Sequence, residues 1–243
     1  HTVFGWRSSF AALLIFGCVL VAIVARKLPE TLVDKPDARL SLSSMLAGYR
    51  TLLQIRDFNL YLVLCTATYT GLIVWFAAMP FIYHARFGLT PLTTSLAISG
   101  SSIGFLIGTS IATRVVVRAG LIRTIGIGAT CMVVGSAAVF LLLAMDVNSL
   151  AGIVVGVGLN LVGLGLVYPQ ALAGGLSCAA ERAGAASSLL GGLPPVCSAI
   201  LGAGIAASAA EKAWPAGLAL LAMALVIVGA WLILRLFPQK SRV

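Results

Sequence analysis

Residues 150–172 read LAGIVVGVGLNLVGLGLVYPQAL, a run without a single charged side chain. A helix needs about 20 apolar residues to cross the hydrocarbon core of a bilayer. The run is continuous rather than alternating, which fits a lipid-spanning helix and not a strand of a transmembrane barrel with its period of two. In lipid each backbone N–H and C=O must find its partner inside the protein, and a helix supplies those partners within one segment. Six further stretches have the same character, approximately Ser8–Ala25, Asn59–Tyr83, Thr93–Thr113, Thr124–Met145, Ala185–Ala207 and Ala213–Phe237. The sequence therefore predicts an all-α integral membrane protein with seven transmembrane helices.

Composition agrees with that reading. The 243 residues are 60% hydrophobic and 9% charged, with a mean hydropathy of +1.08, where a soluble domain carries roughly 25% charged residues. The bilayer is thus the first partner. Twenty-six glycines against nine prolines predict closely packed helices. The five cysteines are scattered singly, with no CxxC and no Cys/His cluster, so neither a metal site nor a disulfide framework is expected. No nucleophile–base pair, paired carboxylates or HExxH cluster lies in or near the spans, which argues against an enzyme. No span holds a lysine that could carry retinal, which argues against a seven-helix photoreceptor.

The net charge of +9 is explained by placement. Arg26, Lys27, Lys35, Arg39, Arg50, Arg56, Arg114, Arg118, Arg123, Arg182, Arg235, Lys240 and Arg242, thirteen of the sixteen basic residues, fall in connections on one side. Only Arg7, Arg86 and Lys212 fall on the other. Basic residues stay cytoplasmic, so the C-terminal tail is expected inside and the opening segment outside. No nucleic-acid partner is expected. An odd number of spans, the first set apart by the longest loop, leads to the expectation that the sequence starts inside a larger protein, just before the last span of a first half.

Several stretches carry a resemblance. Phe4-Gly5-Trp6-Arg7 before the first span and Leu28-Pro29-Glu30-Thr31-Leu32 after it resemble the sixth helix of major facilitator transporters and its exit. Met79-Pro80-Phe81-Ile82-Tyr83, the Arg114…Arg118-Ala119-Gly120 turn, Ala183-Gly184-Ala185-Ala186-Ser187-Ser188-Leu189 and Ala213-Trp214-Pro215 resemble the Bcr/CflA-type drug–proton antiporters within that superfamily. Val117 stands where the family's loop signature carries Asp. The resemblance implies a major-facilitator-type bundle with seven of twelve helices present, driven by the proton gradient and needing no cofactor, that exports amphipathic small molecules across the bacterial inner (plasma) membrane by alternating access. Residues 1–25 would be the outer segment and last helix of the N-terminal bundle, which is otherwise missing here. Residues 26–58 would be a cytoplasmic linker, and residues 59–243 the C-terminal six-helix bundle built of two inverted three-helix repeats. Other readings are an uncoupled or metabolite-specific transporter of the same superfamily, or a non-functional truncated fragment.

All seven acidic residues lie in loops or at span ends. Intramembrane charges usually mark proton or ion paths, so the coupling carboxylate is expected in the missing half, where the resemblance implies an acidic residue in the first helix. In the second span Tyr69 and Phe76 share a helical face suited to an amphipathic guest, with Trp75 either beside them or in the outer aromatic belt. Asn160, near the centre of the fifth span, either bonds a neighbouring helix or faces a wet cavity. Pro169 is expected to kink that span and Gln170 to sit near a cytoplasmic gate. Gly100, Gly104 and Gly108 form a smooth stripe for close helix packing. Gly191-Gly192-Leu193-Pro194-Pro195 is expected to break the sixth span or to leave a benign kink. Residues 41–58, with Leu42, Met45, Leu46, Tyr49, Leu52 and Leu53 at helical intervals, predict an amphipathic helix at the inner surface.

Overall fold

A computed structural model describes residues 7–27, 42–209 and 212–237. The Leu28–Leu32 motif, the opening Phe4-Gly5-Trp6 and the basic residues Lys35, Arg39, Lys240 and Arg242 lie outside the described residues. The elements are α1 (Arg7–Lys27), α2 (Leu42–Leu53), α3 (Arg56–Phe87), α4 (Pro91–Ala119), α5 (Leu121–Ala144), α6 (Leu150–Ser177), a 3-10 turn (Ala180–Arg182), α7 (Ala183–Ala209) and α8 (Trp214–Leu236). All except α2 and the short turn are long and apolar enough to cross a membrane, seven spans among the described residues. There is no strand among them.

Residues 1–41 and 42–243 form two compact units. The first contains α1, which is exposed along its length. The second contains α2 and the six remaining spans. There α2 ends at Leu53, and after two intervening residues α3 starts at Arg56. The Tyr49 hydroxyl hydrogen-bonds Ser188 Oγ at 3.0 Å, holding α2 against the start of α7.

Several helices outrun the apolar stretches that announce them. α3 has 32 residues, about 48 Å at 1.5 Å per residue, where the hydrocarbon core is about 30 Å thick. Nothing in the sequence stops these helices at the lipid boundary, so they continue until a cap does. At α3 that cap is Gly88 in the left-handed region (φ 60°), whose N–H donates to the His84 carbonyl while Leu89 N–H donates to Tyr83 O. Glycine adopts this conformation without steric cost. Thr90 then caps α4, accepting from Thr93 N–H at 3.3 Å, with Pro91 in the first turn. These are the chemical signals that start a helix.

The same continuation corrects one expectation. Arg114 and Arg118 are not in a loop but on the last turns of α4. Only Gly120 (φ 79°) separates α4 from α5. No breaker precedes that glycine, and a cation near a helix C-terminus complements its dipole.

α3 and α6 sit at the centre. α3 packs on α7 and α8, and α6 packs on α4 and α5; α3 meets α6, and α5 meets α8. Exchange of α3 with α6, α4 with α7 and α5 with α8 maps this pattern onto itself. Three consecutive spans return the chain to the opposite side, so the two triplets are inverted relative to one another, the repeat arrangement of many transporters. Glycines make the close approaches on α6. Gly156 and Gly163 face α5, where a Cβ on Gly163 would lie 2.5 Å from the Gly128 carbonyl; Gly165 faces α4, where a Cβ would lie 2.7 Å from Thr109 N.

The expected glycine stripe on α4 is half right. Gly104 lies against the Gly158 carbonyl and Gly108 against that of Val162, with no room for a Cβ at either. Gly100 is exposed, and a Cβ there would meet nothing within 4 Å. The residue that continues the buried face is Ser101, one position further on. A strict spacing of four drifts off a helical face of period 3.6. The expected break in the sixth span is not seen either, because α7 runs continuously through Pro194 and Pro195. The φ fixed by a proline ring is itself helical. Gly191, one turn before Pro195, has open space where a side chain would stand. α6 likewise continues through Pro169.

Candidate functional site

Three helices of the bundle line a cavity of about 490 Å³ that is open on one side. α3 contributes Tyr69, Leu72 and Phe76, at the three- and four-residue intervals that share one helical face. α6 contributes Leu161, Leu164 and Tyr168 on the same principle. α4 closes the wall with Ser99, Ser102, Ile103, Phe105 and Leu106. All lie well inside their helices rather than at the ends. The Tyr69 and Tyr168 rings pack against each other in the cavity wall, with centroids 6.4 Å apart and planes tilted by 37°.

The wall is apolar with four hydroxyls set into it. Ser99 Oγ donates to Ser95 O at 2.8 Å and Ser102 Oγ donates to Ile98 O at 2.9 Å. Each keeps lone pairs for a guest. Among the described residues, no Asp, Glu, Lys, Arg or His lines the cavity. Such a site gains affinity by burying apolar surface and stacking rings, with few directed hydrogen bonds. It suits an uncharged or amphipathic molecule better than an inorganic ion.

Of the candidates from the sequence, Tyr69 and Phe76 are in the cavity. Trp75 is not. Its ring is fully buried in the core with Met79, Ala78, Ile153 and Val157, because one residue along a helix turns the side chain by about 100°. Asn160 is not in the cavity either. It is buried between α6 and α5, where Nδ2 donates to Ser136 Oγ at 2.8 Å, with Met132 O at 3.4 Å. That is the helix-bonding alternative. Gln170 is half-buried and outside the lining. Sequence reasoning missed Tyr168, the two serines and the leucines of α6. The spacing of Leu161, Leu164 and Tyr168 was visible, but Gln170 two residues on drew the argument to polarity instead of face.

Six apolar spans paired as two inverted triplets around a mid-helix cavity define the chain as a multi-pass membrane protein of transporter architecture. Residues 1–193 match the family described as Major Facilitator Superfamily, and the chain belongs to that superfamily. It is 27% identical over 199 residues to the Uncharacterized MFS-type transporter YdgK of Bacillus subtilis (strain 168), a match covering 81% of this chain and 48% of that protein. It is 26% identical over 232 residues to the Multidrug resistance protein D of Escherichia coli (strain K12), covering 95% of this chain and 57% of that protein. The chain thus spans about half the length of the curated relatives it matches.

Proposed function

We propose that this chain supplies the second bundle of an exporter of amphipathic small molecules, driven by proton influx and working by alternating access. The observation that carries the reading is the cavity, two tyrosines and two phenylalanines around an uncharged wall. The likeness to a protein named for multidrug resistance supports it. With no carboxylate in that wall, the coupling group belongs to a partner bundle, and the substrate path runs where the two bundles meet. The Bcr/CflA-type resemblance of the Ala183–Leu189 stretch is consistent with this assignment. The protein would sit in the bacterial inner membrane, with the arginine-rich helix ends and the C-terminus in the cytoplasm.

The test is efflux of a lipophilic cationic dye from cells lacking their own pumps. The chain expressed alone should leave dye retention unchanged. Co-expression with the first half of a relative from the same family should lower retention, and a protonophore should abolish that effect. Pumping by the chain alone would defeat the half-transporter reading. Efflux that survives the protonophore would leave an uncoupled transporter in its place.

A further inference from the structure

At the arginine-rich end of the bundle lies a second cavity, about 790 Å³ in volume, where α3, α5, α6 and α8 converge. Its chemistry is the opposite of the first. Arg123 and Arg235 both line it, and neither is paired with a carboxylate among the described residues. The Arg235 guanidinium stacks on the Trp231 ring, 5.3 Å from its centroid, a contact that leaves the N–H edges free. The ring is held in turn, since Trp231 Nε1 donates to the Ile122 carbonyl at 2.8 Å. Gly126 makes space for it; a Cβ there would stand 2.6 Å from Trp231 Cε2.

Two further features point the same way. α5 starts at Leu121, after Gly120, with no side-chain cap, and the first residues of this 24-residue helix, Leu121, Ile122 and Arg123, line the cavity. Uncapped donors at a helix N-terminus favour an anion. Tyr61 is only 8% exposed, yet it lines the cavity and its hydroxyl has no hydrogen-bond partner among the described residues. Its ring lies flat against Gly174, where a Cβ would be 2.6 Å from Tyr61 Cζ. The nearby carboxylate of Asp57, one turn before Tyr61, is not part of the lining.

We propose that this vestibule binds a phosphate group of net negative charge, clamped by Arg123 and Arg235, cradled by the α5 N-terminus and met by the Tyr61 hydroxyl. The headgroup of an anionic phospholipid and a free phosphate share this chemistry. The site is separate from the transport cavity and does not depend on what that cavity carries.

Calorimetric titration of the full chain in a neutral detergent tests the proposal. The probes are dihexanoyl phosphatidylglycerol, dihexanoyl phosphatidylcholine and inorganic phosphate. Phosphatidylglycerol should bind about tenfold tighter than phosphatidylcholine, as loss of charge-assisted hydrogen bonds implies. Arg123→Gln with Arg235→Gln should erase that preference, whereas Arg114→Gln with Arg118→Gln, at the same end but outside the cavity, should keep it. Binding of inorganic phosphate that the first pair of substitutions abolishes identifies a free anion as sufficient. Binding of phosphatidylglycerol alone identifies the lipid. Equal affinity for the two lipids, no binding of either anion, or equal loss in both double variants overturns the site. Should the first double variant not fold, Tyr61→Phe replaces it, with affinity for phosphatidylglycerol expected to fall about threefold; unchanged affinity overturns the site.

Discussion

Asn160 and Ser136 bond to each other across the α5–α6 interface, Nδ2 to Oγ at 2.8 Å, and both are buried. Ser136 passes its own proton on to the Met132 carbonyl at 2.6 Å, so the amide has a fixed acceptor. In a membrane such a bond contributes about 0.6 kcal/mol on average and at most about 1.7 kcal/mol. A double-mutant cycle with Asn160→Ala and Ser136→Ala, read by detergent-induced unfolding, should give a coupling energy in that range. Dye affinity should not move, because neither residue reaches the cavity. Zero coupling, or a cavity phenotype, would show that the amide works elsewhere.

The α4–α6 contact makes a sharper comparison. Gly104 and Gly100 are one turn apart, yet only Gly104 lies against a backbone carbonyl, that of Gly158. Backbone does not move aside as a flexible side chain would. Gly104→Ala should therefore destabilise the bundle by about 1–3 kcal/mol, the usual range for overpacking. Gly100→Ala has open space and replaces the poorer helix former, so it should be neutral or slightly stabilising. Thermal unfolding of the two variants in the same detergent decides it.

This pair also shows where the sequence is readable and where it is not. Lipid imposes one demand on every span, so a continuous apolar run was enough to find all seven helices among the described residues. Rotation about each helix axis is a different matter. A bilayer leaves little contrast between a lipid-facing and a buried apolar side chain, so the sequence carries no strong stripe to orient α3 or α4. Hence the sequence leaves Trp75 between the cavity face and the outer aromatic belt, whereas the structure buries it in the core and only its neighbour Phe76 lines the cavity. Polarity misled in the same way at Gln170. The prolines of α7 mark lost hydrogen bonds but not a broken helix, since a continuous helix tolerates them when its neighbours can adjust. The symmetry of the two triplets was invisible residue by residue, because packing and not identity repeats.

At the end opposite the arginine-rich one, Arg86 joins α3 to the α5–α6 connection. Its Nε donates to Asn148 Oδ1 at 2.8 Å, and its Nη2 lies 2.9 Å from Asp146 Oδ1, close but not aligned as a hydrogen bond. The Arg86 side chain is 12% exposed and that of Asp146 is 93% exposed. An ion pair so open to water is worth little. Asp146 matters more for its backbone, at φ 56°, a conformation that Asn also tolerates and Ala does not. Asp146→Asn should stay within about 0.5 kcal/mol of the parent, and Asp146→Ala should cost about 1 kcal/mol. Equal losses in the two variants, measured by thermal unfolding at low and high salt, would return the credit to the charge.

The cavity yields the prediction closest to function, because adjacent aromatic residues are expected to fail in different ways. Phe76 contributes ring surface to the wall, and Tyr69 packs against Tyr168 in it at 6.4 Å. Truncation of Phe76 to Ala removes stacking and burial from the guest, worth about 1.5 kcal/mol or roughly a tenfold loss of dye affinity. Tyr69→Phe keeps the ring and removes only a hydroxyl, so the loss should be about twofold to fivefold and confined to dyes with a hydrogen-bonding group. Trp75 is sealed in the core beside Met79 and Val157. Its replacement by Ala should cost about 3–5 kcal/mol of stability, and whatever protein still folds should bind dye with parental affinity. Fluorescence titration of the dye, paired with an unfolding curve for each variant, separates affinity from folding. A Trp75 variant that folds normally but binds weakly, or a Phe76 variant with unaltered affinity, would mean that α3 presents the other face to the substrate.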